Sequence, residues 1–131
     1  MLADVSSLDE AKRFKSCSLI CNIFANMEAS SVPQSVMDKY ASLDTLNKLS
    51  LRLLDSSDRV KLIAAATFRN IASTGSVEVN SRMLRIGVAS TITSVLEQLL
   101  GAEGGGGFAA GVILPRAVYL EQLVATLCNI R

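Results

Sequence analysis

Three stretches of this chain end in the same way: "SLICNIF" (18–24), "FRNIAST" (68–74) and "ATLCNIR" (125–131). Each places an Asn, then an Ile, at the close of a run with helical apolar spacing, where a further aliphatic residue would be expected. Asn22 to Asn70 spans 48 residues and Asn70 to Asn129 spans 59; the difference of 11 is the length of the interruption "GAEGGGGFAAG" (101–111). With that insertion set aside, the intervals agree, and a period near 48 lies close to the ~40–47 residues of helical-repeat units. A recurrent period constrains the fold more than composition does, because every unit must then bury its apolar face against a neighbouring unit.

The apolar positions carry the same message along the chain. Leu8, Ala11, Phe14, Cys17, Ile20, Ile23, Phe24 and Met27 keep helical spacing, with Ser7 and Glu10 placed to form a capping box. Pro33 suits the start of a short helix over 33–40. Leu43, Leu46, Leu49, Leu53 and Leu54 form a second amphipathic stretch, and "DSSD" (55–58) is a turn able to cap the next helix. That helix carries Val60, Ile63, Ala64, Thr67, Phe68 and Ile71 inward, and Gly75 ends it. A short helix over 77–86 stops at Gly87; Val88, Ile92, Val95, Leu96, Leu99 and Leu100 form the next stripe. After the Gly-rich insertion, Pro115 restarts a helix bearing Leu120, Leu123, Val124, Leu127 and Ile130. No useful run alternates with period two, so no strand is predicted. The succession is short, medium and long helix, used twice and preceded by one extra long helix.

Composition narrows function by exclusion. At 131 residues the chain is long enough for one domain that buries about two-thirds of its unfolded surface, and half its residues are hydrophobic. A net charge of +1 and the absence of Trp offer neither an electrostatic footprint nor a stacking platform for nucleic acid. The basic run "KRFK" (12–15) reads as the solvated face of a helix. No apolar stretch reaches membrane-spanning length, and the acidic opening does not resemble a signal peptide. Cys17, Cys21 and Cys128 form no CxxC pair and have no His to join them; they read as buried thiols in a reducing compartment, with no metal or other cofactor expected. Without His the commonest general base is missing, and Glu97 with Glu103, or Asp55 with Asp58, read as solvated caps beside turns. The Gly-rich insertion lacks the GK[ST] ending of a phosphate loop and reads as a surface excursion in which Phe108 alone offers a docking group. No enzymatic activity is expected.

The segment "LRLLDSSDRVKLIAAATFRNIASTGSVEVNSRMLRIGVASTITSVLEQLL" (51–100) resembles an armadillo repeat unit running into the next, within a wider likeness extending from Leu8 to Ile130. The resemblance implies an all-α, right-handed α-α superhelix, an armadillo/HEAT-like solenoid of about two and a half repeats. It places a third helix at about 6–28, a second repeat at about 33–74, and a third repeat at about 77–131 containing the insertion. In armadillo proteins the third helices line a concave groove, where Asn side chains hold the backbone of an extended peptide. That role maps onto Asn22, Asn70 and Asn129, with Ser18, Ala66 and Ala125 one turn earlier. Import adaptors carry Trp at those earlier positions to wall in Lys and Arg stems, so recognition of basic localisation peptides by that route is not expected here. The implied partner is a protein or peptide, with no nucleic acid and no membrane, and the implied location is cytoplasmic or nuclear.

Two readings of the Asn row stay open: a peptide-binding ladder, or amides that bridge adjacent repeats. The segments "RFKSCSLICNI", "LLDSSDRVKLIAAATFRNIAS" and "LVATLCNI", together with the insertion, also resemble the opening of symportin-type armadillo/HEAT adaptors. That narrower resemblance implies a role in ribosomal-protein escort and nuclear import. The alternative function is a stacking unit of a larger helical scaffold with no groove of its own, and exposed solenoid ends would favour self-association.

Overall fold

The computed structural model describes residues 2–28, 32–101 and 113–129, and among these every regular element is helical. A 3₁₀ turn over Leu2–Ser6 precedes α1 (Glu10–Phe24), α2 (Gln34–Tyr40), α3 (Leu43–Arg52), α4 (Asp58–Ser73), α5 (Val77–Arg85), α6 (Val88–Gly101) and α7 (Ile113–Asn129). The predicted succession of short, medium and long helices is present twice, after one long helix. The expected positions at 101–111 lie outside the described residues beyond Gly101, as do Phe108 and Ile130.

Helix boundaries follow local capping chemistry. Ser42, Ser57 and Ser76 each stand in extended backbone and accept a hydrogen bond from the N–H three residues on, which satisfies a donor that the first turn leaves open. Gly75 and Gly87 have φ of 72° and 76°, the left-handed conformation that ends α4 and α5 without a Cβ penalty. At α1 the structure departs from the expected capping box. Asp9 is the cap, with its carboxylate accepting from Ala11 N–H at 2.9 Å, while Ser7 Oγ accepts from Asp9 N–H. Glu10 turns instead to Arg59 on α4 and to Ser57, the residue that caps α4, since a guanidinium is the stronger partner. Leu8 therefore lies before the helix and is fully exposed, not part of the core.

Helix α4 sits between α1 and α7 and packs most extensively against those two. Small residues allow the close approach to α1: Ala64 and Ala65 are fully buried, and Thr67 Oγ1 reaches the Cys17 carbonyl at 3.2 Å. Helices α3 and α6 complete the packing, α3 against α4 and α5, α6 against α5 and α7. One continuous core results, including Ile20, Phe24, Leu46, Leu49, Leu53, Phe68, Ile71, Met83, Ile92 and Leu123. Each such side chain is worth about 1.5–3 kcal/mol on burial. Tyr119 joins them, 1 % exposed, and its hydroxyl donates to the Leu53 carbonyl at 2.6 Å, tying α7 to the end of α3.

A buried charge cluster locks the junction of α1, α3 and α4. Arg13 donates through Nε and Nη2 to the two carboxylate oxygens of Asp55, at 2.9 and 3.1 Å, and through Nη1 to the carbonyls of Ser7 and Leu8. Asp55 also accepts from Arg52 Nη1 and from Ser57 N–H. Asp55 is 5 % exposed, so the expected solvated cap is in fact a buried hub; Ser57 performs the capping. Burial alone would raise the Asp55 pKa, but the Arg13 and Ser57 hydrogen bonds and the two guanidinium charges outweigh it, and the carboxyl lies below the ordinary Asp value.

Candidate functional site

The solvent side of α4 is a narrow strip. Its flanks are buried against α1 and α7, at Val60, Ala64, Thr67, Phe68 and Ile71 among others, which leaves Arg59, Leu62, Ile63, Ala66, Arg69, Asn70 and Ser73 at least partly exposed. These positions recur at three- and four-residue steps, the spacing of one helix face. Leu62, Ile63 and Ala66 are apolar yet not sealed. They form the floor of a depression of about 310 Å³ whose walls are Phe14 from α1 and Gln122 from α7. One site thus draws on all three long helices.

Arginines stand at both ends of this strip. The Arg59 guanidinium lies 4.4 Å from the Phe14 ring centre, a cation–π contact, and donates to both carboxylate oxygens of Glu10. The Arg59 and Ser57 hydrogen bonds hold the Glu10 pKa down to about 2. Arg69, ten residues further along, makes one long bond, Nη1 to Gln122 Oε1 at 3.4 Å.

The six residues expected to form the groove are divided. Ala66 lines the apolar depression. Ser18 and Asn22 line a separate depression of about 530 Å³ on α1, with Asp4, Lys12, Lys15, Ser16 and Leu19. Ala125 is partly exposed and Asn129 exposed on α7. Asn22, Asn70 and Asn129 are exposed or half-exposed on α1, α4 and α7, and their amides differ. Asn70 Nδ2 donates to the Cys21 carbonyl at 3.1 Å, with the Cys21 sulfur at 3.2 Å. Cys21 is in the last turn of α1, and the N–H four residues on, at Ala25, bonds to Asn22 O instead. Asn70 therefore satisfies a carbonyl that a helix end leaves open. Asn129 contributes its own carbonyl to Asn80 Nδ2 at 3.4 Å. Among the described residues no hydrogen bond uses the Asn22 or Asn129 side chain.

Phe14, Arg59, Leu62, Ile63 and Gln122 were not expected at a surface site. Phe14 and Ile63 fit the apolar period and were placed inward. The available signal was the width of the apolar arc on α4, which continues past the core-facing side through Leu62, Ile63 and Ala66.

The lining of the depression holds an aromatic ring, aliphatic surface, an amide and a guanidinium. Of the cysteines, Cys17 and Cys21 are buried and Cys128 is exposed. Burial pushes the Cys17 thiol up to about 12, and burial likewise raises that of Cys21 against the hydrogen bonds of Thr67 and Asn70. Among the described residues no group of three or more His, Cys, Asp or Glu could hold a metal ion, and no helix is long and apolar enough to cross a membrane. No protein-family model matches this chain, and neither a curated protein nor a solved structure matches it significantly.

Proposed function

We propose that this chain is a non-catalytic protein–protein interaction module, an armadillo/HEAT-like solenoid segment whose row of long helices receives an extended peptide or a partner segment. The observation that carries the reading is the depression floored by Leu62, Ile63 and Ala66 and walled by Phe14 and Gln122. Apolar surface left open between three packed helices, bordered by amides and guanidiniums, is the usual makeup of a peptide site: contact area in the centre and hydrogen bonding at the edge. Within this reading Ala66 belongs to the floor. Asn22 on α1 and Asn129 on α7 supply, in this reading, amides able to meet both polar groups of an extended backbone. Asn70 holds the neighbouring helix in place and offers its Oδ1.

Escort of a ribosomal protein toward the nucleus is the narrower form of the proposal, and it rests on the quoted sequence segments alone. A second reading, a stacking unit of a larger scaffold, is favoured by the Asn70 amide, which bridges two helices. Under that reading copies associate through the outer faces of α1 and α7.

Selection of binders from a random peptide library against the chain separates the two. The module reading expects binders that compete for one site and lose affinity when Ala66→Trp fills the depression. Failure to select any binder, or binders indifferent to Ala66→Trp and to Leu62→Gln, would favour the scaffold.

A further inference from the structure

The two arginines of the α4 strip differ in how their charge is met. Arg59 is neutralised in place by Glu10, which meets it with both carboxylate oxygens. Among the described residues Arg69 has no such counter-ion; its bond at 3.4 Å runs to a neutral amide, Gln122. Its guanidinium therefore keeps the planar pair of donors that a carboxylate accepts side by side. Its neutral partner Gln122 itself lines the depression, which sets the Arg69 guanidinium at the edge of the site. Glu121, next to Gln122 in sequence, is exposed on α7, and among the described residues no ion pair joins it to Arg69. Along α4, Arg59 and Arg69 are about 15 Å apart by helical rise, with the apolar floor between them.

Resting on the peptide-site reading above, we propose that the depression takes an acidic segment: one large apolar side chain seated over Leu62, Ile63 and Ala66, with a carboxylate a few residues away paired to Arg69. The apolar anchor supplies contact area, and the carboxylate supplies register and selectivity against basic sequences, which would bring a like charge to Arg69. Arg59, already paired, closes the end of the depression over Phe14 and contributes stacking surface rather than free charge.

The test uses the whole chain and three fluorescein-labelled ten-residue peptides with the same central Leu-Phe pair, flanked by Glu, by Lys or by Ser, read by fluorescence polarisation. The acidic peptide should bind tightest, at least about tenfold over the Lys peptide, and weaken as salt rises from 50 to 500 mM. Arg69→Glu should cost the acidic peptide about tenfold or more and favour the Lys peptide, and Arg69→Lys should cost it about threefold, because the paired donors are lost while the charge remains. Arg69 is on the surface, so these variants keep the fold, which circular dichroism checks. If the Lys or Ser peptide binds as well as the acidic one and Ala66→Trp abolishes that binding, the site stands and the acidic preference is overturned. If none of the three binds, both are overturned.

Discussion

Replacing Asn70 with Ala asks whether the recurrent amide holds helices together or only faces solvent. In the structure its Nδ2 reaches the Cys21 carbonyl at 3.1 Å, across to the last turn of α1. Removing it leaves a half-buried carbonyl without that donor, a loss of about 1–3 kcal/mol. Ala is the better helix former by about 0.6 kcal/mol, which offsets part of the loss. A net destabilisation of about 0.5–2 kcal/mol follows. Asn22→Ala gains the same propensity and loses no side-chain hydrogen bond, so it should be neutral or slightly stabilising. The gap between the two variants, about 1–3 kcal/mol, is independent of the total stability and can be read from urea denaturation followed by far-UV circular dichroism with an unchanged m-value. In thermal melts each kcal/mol should appear as about 3–5 °C for a domain of this size. If Asn70→Ala and Asn22→Ala coincide within about 0.3 kcal/mol, the bridging role assigned to Asn70 is wrong.

Other predictions concern the charge cluster and the thiols. Asp55→Ala strands the buried Arg13 and should destabilise the chain by about 3–5 kcal/mol in urea, against less than about 1 kcal/mol for Lys48→Ala, whose partner Asp44 is an exposed residue one turn away. The Asp55 carboxyl pKa lies below its ordinary value in the folded state, so its contribution is fully present above about pH 4 and is lost as pH falls further; Asp55→Asn should flatten the acid limb of the stability curve. A thiol reagent at pH 8 should modify Cys128 quickly and leave Cys17 and Cys21 until the chain unfolds, which a count of labelled sites with and without urea would check.

Much of the fold was legible in the sequence because it depends on local chemistry. The cap within 55–58, the two left-handed glycines and the helical spacing of Leu46, Leu49, Phe68 and Ile71 act within one or two turns, and residue order alone reveals them. Asp55 was misread for the opposite reason: its partner Arg13 is 42 residues away, and nothing local distinguishes a buried acceptor from a solvated cap. Leu8 was misread because Asp9, and not Ser7, takes the cap. The candidate site was half legible. The Asn register pointed to α1, α4 and α7 and to Ala66, which line the depression, but the same apolar period that identifies core residues also covers Phe14 and Ile63. Only the packing of α4 between two neighbours shows that its buried flanks leave those side chains at the surface.

The most direct test of the central claim is a methyl and amide NMR titration of the chain with the acidic peptide. The account predicts that the Leu62 and Ile63 methyls and the Ala66 and Gln122 amides shift together with one saturation curve, while core methyls such as Val79 stay fixed. Shifts clustered instead at the exposed Leu51, Leu54 and Leu84 would place the contact elsewhere and contradict it.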